Sequence, residues 1–150
     1  MPLYARVRRA IREVDSQHIL FLEAAMSANT GIPSGLSPLT DEYGRRDPHQ
    51  AYAPHGYDLV TDTSSIDLIS NERVALIFGR HAEVATKLQM PMLVGEWGAY
   101  YGNPAAREAA RFTVQLFDRL GCGDIYWAYR AELNHSPLRR ALKRPATLPR

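Results

Sequence analysis

The sequence predicts an α/β protein with parallel strands. Short, almost uniformly apolar runs such as Pro91-Met92-Leu93-Val94 suit strands covered on both faces. Segments with helical spacing alternate with those runs, the pattern of right-handed βαβ units. Two of the runs close on a carboxylate, Glu23 and Glu96, and parallel α/β folds place their chemistry at the carboxyl ends of strands.

Taken in order, Leu3, Val7, Ile11 and Val14 share one face of a helix, with Arg6, Arg9, Arg12 and Glu13 away from it and an end expected near Asp15-Ser16. A strand follows at Ile19-Leu20-Phe21-Leu22 and meets Glu23. Residues 24–50 lack sustained periodicity and are broken by Gly31, Pro33, Gly35, Pro38, Gly44 and Pro48, so they read as one long loop covering or building a site. A third strand is expected over 51–57, which sets His55 and Tyr57 facing the same way. Ser70 caps the clearest helix, with Val74, Ile77, Phe78, His81, Ala85 and Leu88 on its apolar face. After the Glu96 strand, Asn103-Pro104 offer a cap and a first-turn proline for a helix ending at Gly121. Asp124 to Tyr129 form the last strand, and Ser136-Pro137 open a short helix fading at Pro145.

Composition bounds the function. The 150 residues suffice for one domain with a core, and their 45% hydrophobic and 23% charged content is that of a globular protein. No apolar run approaches the length of a membrane span, and the N-terminus has no signal-peptide core. The net charge of +2 is weak, and much of the basic excess lies in the tail, residues 139–150, which reads as solvated rather than as a nucleic-acid site. The lone Cys122 allows no intramolecular disulfide, and the compartment, secreted or cytoplasmic, stays open.

No strand is followed by a glycine-rich phosphate loop, no Gly-x-Ser-x-Gly elbow occurs, and no His-x-x-x-His pair suggests zinc. What remains are the strand ends, which present Glu23, His55 with Tyr57, Glu96 and Trp127. Carboxylates, hydrogen-bonding rings and one aromatic plate suit a sugar: a pyranose face stacks on an indole, and glycosidic cleavage needs a carboxylate beneath the anomeric carbon. Each residue also has a plainer reading. Glu96 fits a strand-end ion pair, His55 a satisfied structural histidine, and Trp127 a core aromatic. Tyr100 and Tyr101 could line a subsite or sit on the surface, while His81 reads as packing and Cys122 as a turn residue.

The constellation His55-Gly56-Tyr57, Gly95-Glu96-Trp97-Gly98 and Tyr126-Trp127 resembles the last strands of family 5 glycoside hydrolases, most closely their endoglycoceramidase-related branch. The likeness runs from the first helix to Leu142-Lys143-Arg144-Pro145, which is similar to a degraded Arg-Pro-Tyr-Pro closing segment. It implies a (β/α)8 TIM barrel of which residues 1–150 are a partial domain holding strands five to eight. It also implies Glu96 as the nucleophile of a retaining glycosidase, His55 and Tyr57 as the pair orienting it, and Trp127 as the sugar platform. The implied partner is a carbohydrate or glycolipid substrate, with no metal or organic cofactor.

The departures are equally specific. The family's acid/base glutamate follows an asparagine at the end of the fourth strand, and no Asn-Glu closes a strand ahead of Glu96. Only one strand separates Glu23 from Glu96, so Glu23 aligns with the fifth strand and is expected to line the cleft or hold the long loop. The competing readings are a non-catalytic carbohydrate-binding or structural remnant, and one subunit of a split enzyme completed by a missing N-terminal half or by self-association through apolar edges.

Overall fold

The computed structural model describes residues 2–100, 103–128 and 142. The elements run α1 (Pro2–Arg12), β1 (Leu20–Leu22), β2 (Gln50–Tyr52), β3 (His55–Gly56), α2 (Asn71–Leu88), β4 (Leu93–Gly98), α3 (Arg107–Leu120) and β5 (Gly123–Trp127). Every strand pairing is parallel, as the alternation of strand and helix requires. Apart from Leu142, the helix expected after Ser136 and the basic tail lie outside the described residues, as does Tyr101.

The single strand expected over 51–57 is cut into β2 and β3. β2 pairs with β1 and β3 with β4, so the ladder forms a two-stranded and a three-stranded piece. The cut falls at Ala53-Pro54, where proline has no N–H to give. Continuity survives through carbonyls: the Tyr52 N–H donates to Pro91 O at 2.9 Å and the Gly95 N–H to Pro54 O at 2.9 Å. The order across the sheet is therefore β1, β2 with β3, β4, β5. Parallel strands in this order match the partial barrel that the sequence resemblance implies, and among the described residues the sheet does not close. β1 and β5 each have one ladder partner, and both leave apolar side chains exposed, Phe21 and Ile125 among them.

α2 forms as its pattern predicts. The Ser70 hydroxyl accepts the Arg73 N–H, and Val74, Ile77, Phe78, His81 and Leu88 are buried. α3 ends where expected, at Gly121 in the left-handed conformation. Pro104–Ala106 open it as a 3₁₀ turn that runs straight into α3 at Arg107, so the helical stretch starts at the expected proline. The Ala106 N–H donates to Asn103 O at 3.2 Å. Trp97, Phe78 and Phe117 meet edge-on between the helices and β4.

α1 forms on the expected stretch and ends at Arg12, short of Asp15-Ser16. It buries none of its residues, and Leu3 and Val7 on its apolar face are exposed. It is held by charge instead: Arg8 Nε and Arg12 Nε sit 2.7 and 2.8 Å from Oδ2 of the buried Asp47. Residues 24–49 form the long connection that their composition predicts, ahead of β2 at Gln50. It contains a 3₁₀ turn at Met26–Thr30 and a bridge from Thr40 to Arg46, and Gln50 accepts the buried Leu39 N–H through Oε1 at 2.8 Å. The Leu39–Gln50 bond spans eleven positions, beyond what helical or strand periodicity reports.

Candidate active site

Alternation along β4 decides where Glu96 points. Trp97 is buried against α3, and its Nε1–H donates to Asp124 Oδ1 at 3.0 Å, so the preceding side chain emerges on the opposite, open face of the sheet. Parallel register sets His55 beside Glu96 and Gly56 beside Trp97. Glycine is needed at 56, because a Cβ there would lie 2.5 Å from Phe78 Cε1. Glycine at 95 has a related use, since a Cβ would meet Cδ2 and Nε2 of His55 at 3.1 Å. One edge of the imidazole thus packs against the neighbouring strand.

Three polar groups converge on that face. The Tyr57 hydroxyl donates to Glu96 Oε2 at 2.8 Å, His55 Nδ1 lies 3.3 Å from the same oxygen, and Glu23 Oε1 approaches His55 Nδ1 from the other side at 3.4 Å. The structure therefore brings together His55, Tyr57, Glu96 and Glu23, all strand-end residues in the sequence reading. Glu23 does not hold the long loop through its carboxylate; it contacts the site histidine. Its backbone is tied to α1, where the Tyr4 hydroxyl donates to Glu23 O at 2.8 Å. No sequence signal marks this meeting, because Glu23 and His55 are brought together by the β1–β2 ladder.

Trp127 is 48% exposed, so it is not a core aromatic. With Tyr57, Thr61, Asp62 and Ala99 it lines an open recess of about 280 Å³. The Trp127–Ala128 peptide is cis, and the Ala99 N–H donates to Trp127 O at 2.6 Å, which joins the ends of β4 and β5. Tyr100 does not fit its expected place. It is 3% exposed and packs edge-on to Trp97, with burial pushing its phenol pKa up, so most of its ring is core.

Behind the site, His81 is buried as expected for a packing residue, with Nδ1 and the Tyr52 hydroxyl 2.9 Å apart. Burial pushes its imidazole down to about 4, against the carbonyls of His55 and Ala28, which raise it. Asp58, also buried, receives the Arg73 Nε–H and the Ser70 N–H, which ties the turn after Tyr57 to the start of α2. Among the described residues no group of three His, Cys, Asp or Glu could hold a metal, and no helix is long and apolar enough to cross a membrane.

The family model described as Cellulase (glycosyl hydrolase family 5) matches residues 1–132. The chain belongs to glycosyl hydrolase family 5. Solved relatives agree with that membership. Endo-glycoceramidase II from Rhodococcus sp., determined as a lactosyl-enzyme intermediate, is 26% identical with a TM-score of 0.75, over 94% of this chain and 34% of its own. The same enzyme in complex with ganglioside GM3 matches at 26% identity and a TM-score of 0.69, over 84% of this chain and 29% of its own. A hyperthermophilic endo-β-1,4-glucanase in complex with substrate shares the fold, with a TM-score of 0.74 at 18% identity, over 94% of this chain and 52% of its own. No curated protein matches. The family 5 chain thus spans about a third of the endoglycoceramidase and about half of the glucanase. The family's acid/base motif has no counterpart at a described strand end. The sole Asn-Glu, Asn71-Glu72, opens α2, where Glu72 accepts the Ser70 hydroxyl at 2.7 Å.

Proposed function

We propose that Glu96 is the nucleophile of a retaining O-glycosyl hydrolase acting on a glycan or glycolipid. In this reading its carboxylate attacks the anomeric carbon, the glycosidic C–O bond breaks, and the departing oxygen takes a proton from an acid. Water then cleaves the glycosyl ester. The observation that carries the proposal is the convergence on Glu96: Tyr57 O–H and His55 Nδ1 both address Oε2 at the carboxyl end of β4. That arrangement leaves Oε1 as the attacking oxygen. Trp127, exposed beside Tyr57 on the same recess, is the sugar platform, and the reading calls for no metal or organic cofactor.

The proton donor is proposed to come from strands that pair with the exposed edges of β1 and β5. Glu23 stands two strand positions from Glu96, whereas the family's acid stands three away, and its carboxylate is engaged with His55. An open sheet with apolar edges is a template for further strands, and closing a barrel removes both edges at once. Residues 1–150 accordingly act as one partial barrel domain with loop 24–50 on the active-site side. A 2-fluoro glycoside should label Glu96 when the complementary strands are present, and labelling of another residue would overturn the assignment. The 150-residue chain alone should self-associate in sedimentation and barely hydrolyse aryl glycosides or glycolipids, since a missing general acid costs ~10²–10⁴-fold. A stable monomer with robust turnover would refute the need for a second half.

A further inference from the structure

His55 Nδ1 lies between two carboxylates on different strands, 3.3 Å from Glu96 Oε2 and 3.4 Å from Glu23 Oε1. Both distances exceed those of a linear N–H···O bond, so the two carboxylates act on the Nδ1 side of the ring through their charge rather than through a directed bond. The opposite edge of the ring, Cδ2 and Nε2, lies against the Gly95 backbone, where a Cβ would stand 3.1 Å away. That face offers a close steric fit, while all the negative charge lies on the Nδ1 side. A neutral imidazole carries its proton on one nitrogen only, and the acceptor around it selects which.

From this geometry we infer that Glu23 is a positioning residue that, together with Glu96, favours the Nδ1–H form of His55 and holds the ring between the two strands. Tyr57 already donates to Glu96 Oε2. With the Glu23 carboxylate also beside Nδ1, His55 keeps its orientation next to Glu96 without becoming its exclusive partner. The device depends on the ladder: β1 and β2 pair Leu22 with Tyr52, and Tyr4 holds the Glu23 carbonyl, so the carboxylate starts from a fixed backbone position. The catalytic consequence rests on Glu96 being the nucleophile. The tautomer does not.

The test is long-range ¹H–¹⁵N spectroscopy of the 150-residue chain with ¹⁵N in its histidines, at a pH about two units above the ordinary imidazole value of ~6.5. His55→Gln assigns the signals. The wild type should show Nδ1–H at His55. Glu23→Ala leaves the Glu96 carboxylate beside Nδ1 and should move a measurable share of His55 to Nε2–H, while Glu23→Gln, which keeps an acceptor oxygen, should restore much of the Nδ1–H signal. His81, whose Nδ1 meets the Tyr52 hydroxyl, is an internal control and should not change. Glu23 is 56% exposed at its side chain, so its truncation leaves the fold in place. In the completed barrel, Glu23→Ala should also slow labelling of Glu96 on the order of tenfold through misplacement of its neighbour. An unchanged His55 spectrum in Glu23→Ala, or a wild type with Nε2–H, would overturn the inference. A tautomer switch in a protein whose Glu96 never labels would leave the inference standing and remove the glycosidase reading.

Discussion

The hydroxyl of Tyr57 donates to Glu96 Oε2 across 2.8 Å, although the two residues are 39 positions apart. Their meeting depends on the parallel register that pairs His55 with Glu96 and lets the chain turn back over the strand end. A hydrogen bond to a charged group is worth about 1.5–3 kcal/mol. Tyr57→Phe should therefore slow Glu96 labelling in the completed barrel by roughly ten- to a hundredfold, with the melting curve little changed. Equal rates for both proteins would reduce Tyr57 to a packing residue.

The two tryptophans should separate binding from stability. Trp127 is half-exposed beside the recess, so Trp127→Ala should raise KM for a glycoside while leaving unfolding nearly unchanged. Trp97 is fully buried against Phe117 and Tyr126, and Trp97→Ala should cost about 3–5 kcal/mol in denaturant unfolding. Comparable destabilisation by both substitutions would mean that Trp127 is a core residue.

His81 should give the fold an acid-sensitive window. Its folded imidazole holds a proton only below about 4, and the unfolded one takes it near ~6.5. Between those values the unfolded state binds more protons, so stability should fall as the pH is lowered through that window, by on the order of 3 kcal/mol in total. His81→Gln should flatten the slope of unfolding free energy between pH ~4 and ~6.5. An unaltered slope in the variant would show that other groups set it.

Asp47 should decide whether α1 stays docked. Burial raises its pKa, but hydrogen bonds from Arg12, the His49 N–H and Arg8 outweigh that and hold it at about 2. The carboxylate is therefore charged and fully paired, and α1 has no buried residue to compensate for its loss. Asp47→Ala should cost about 3–5 kcal/mol and leave two guanidinium groups without their acceptor. Amide exchange should then rise across 2–12 before it rises in α2. Uniform exchange in both helices would argue against α1 as a separately latched element.

The local parts of this protein were legible in its amino acids. α2 has a serine cap and seven buried positions at helical spacing, α3 stops at a glycine, and β4 is an apolar run closing on Glu96. Each depends on neighbours within a turn or a few residues, and the order of side chains along the chain already specifies them. The grouping of His55, Tyr57 and Glu96 was legible for the same reason, since strand ends in parallel sheets meet on one side.

Relations between distant segments were settled only by the tertiary structure. Tyr100 reads as a loop tyrosine and becomes a core ring because Trp97 and Tyr126 enclose it. Arg12 reads as a solvated charge, yet it binds Asp47, 35 residues away. Glu23 reads as one more strand-end acid, and only the β1–β2 register sets it against His55. A sequence pattern reports which face of its own element a residue occupies. What lies opposite that face depends on how the strands pair, and the energy that selects the pairing is spread over the whole sheet.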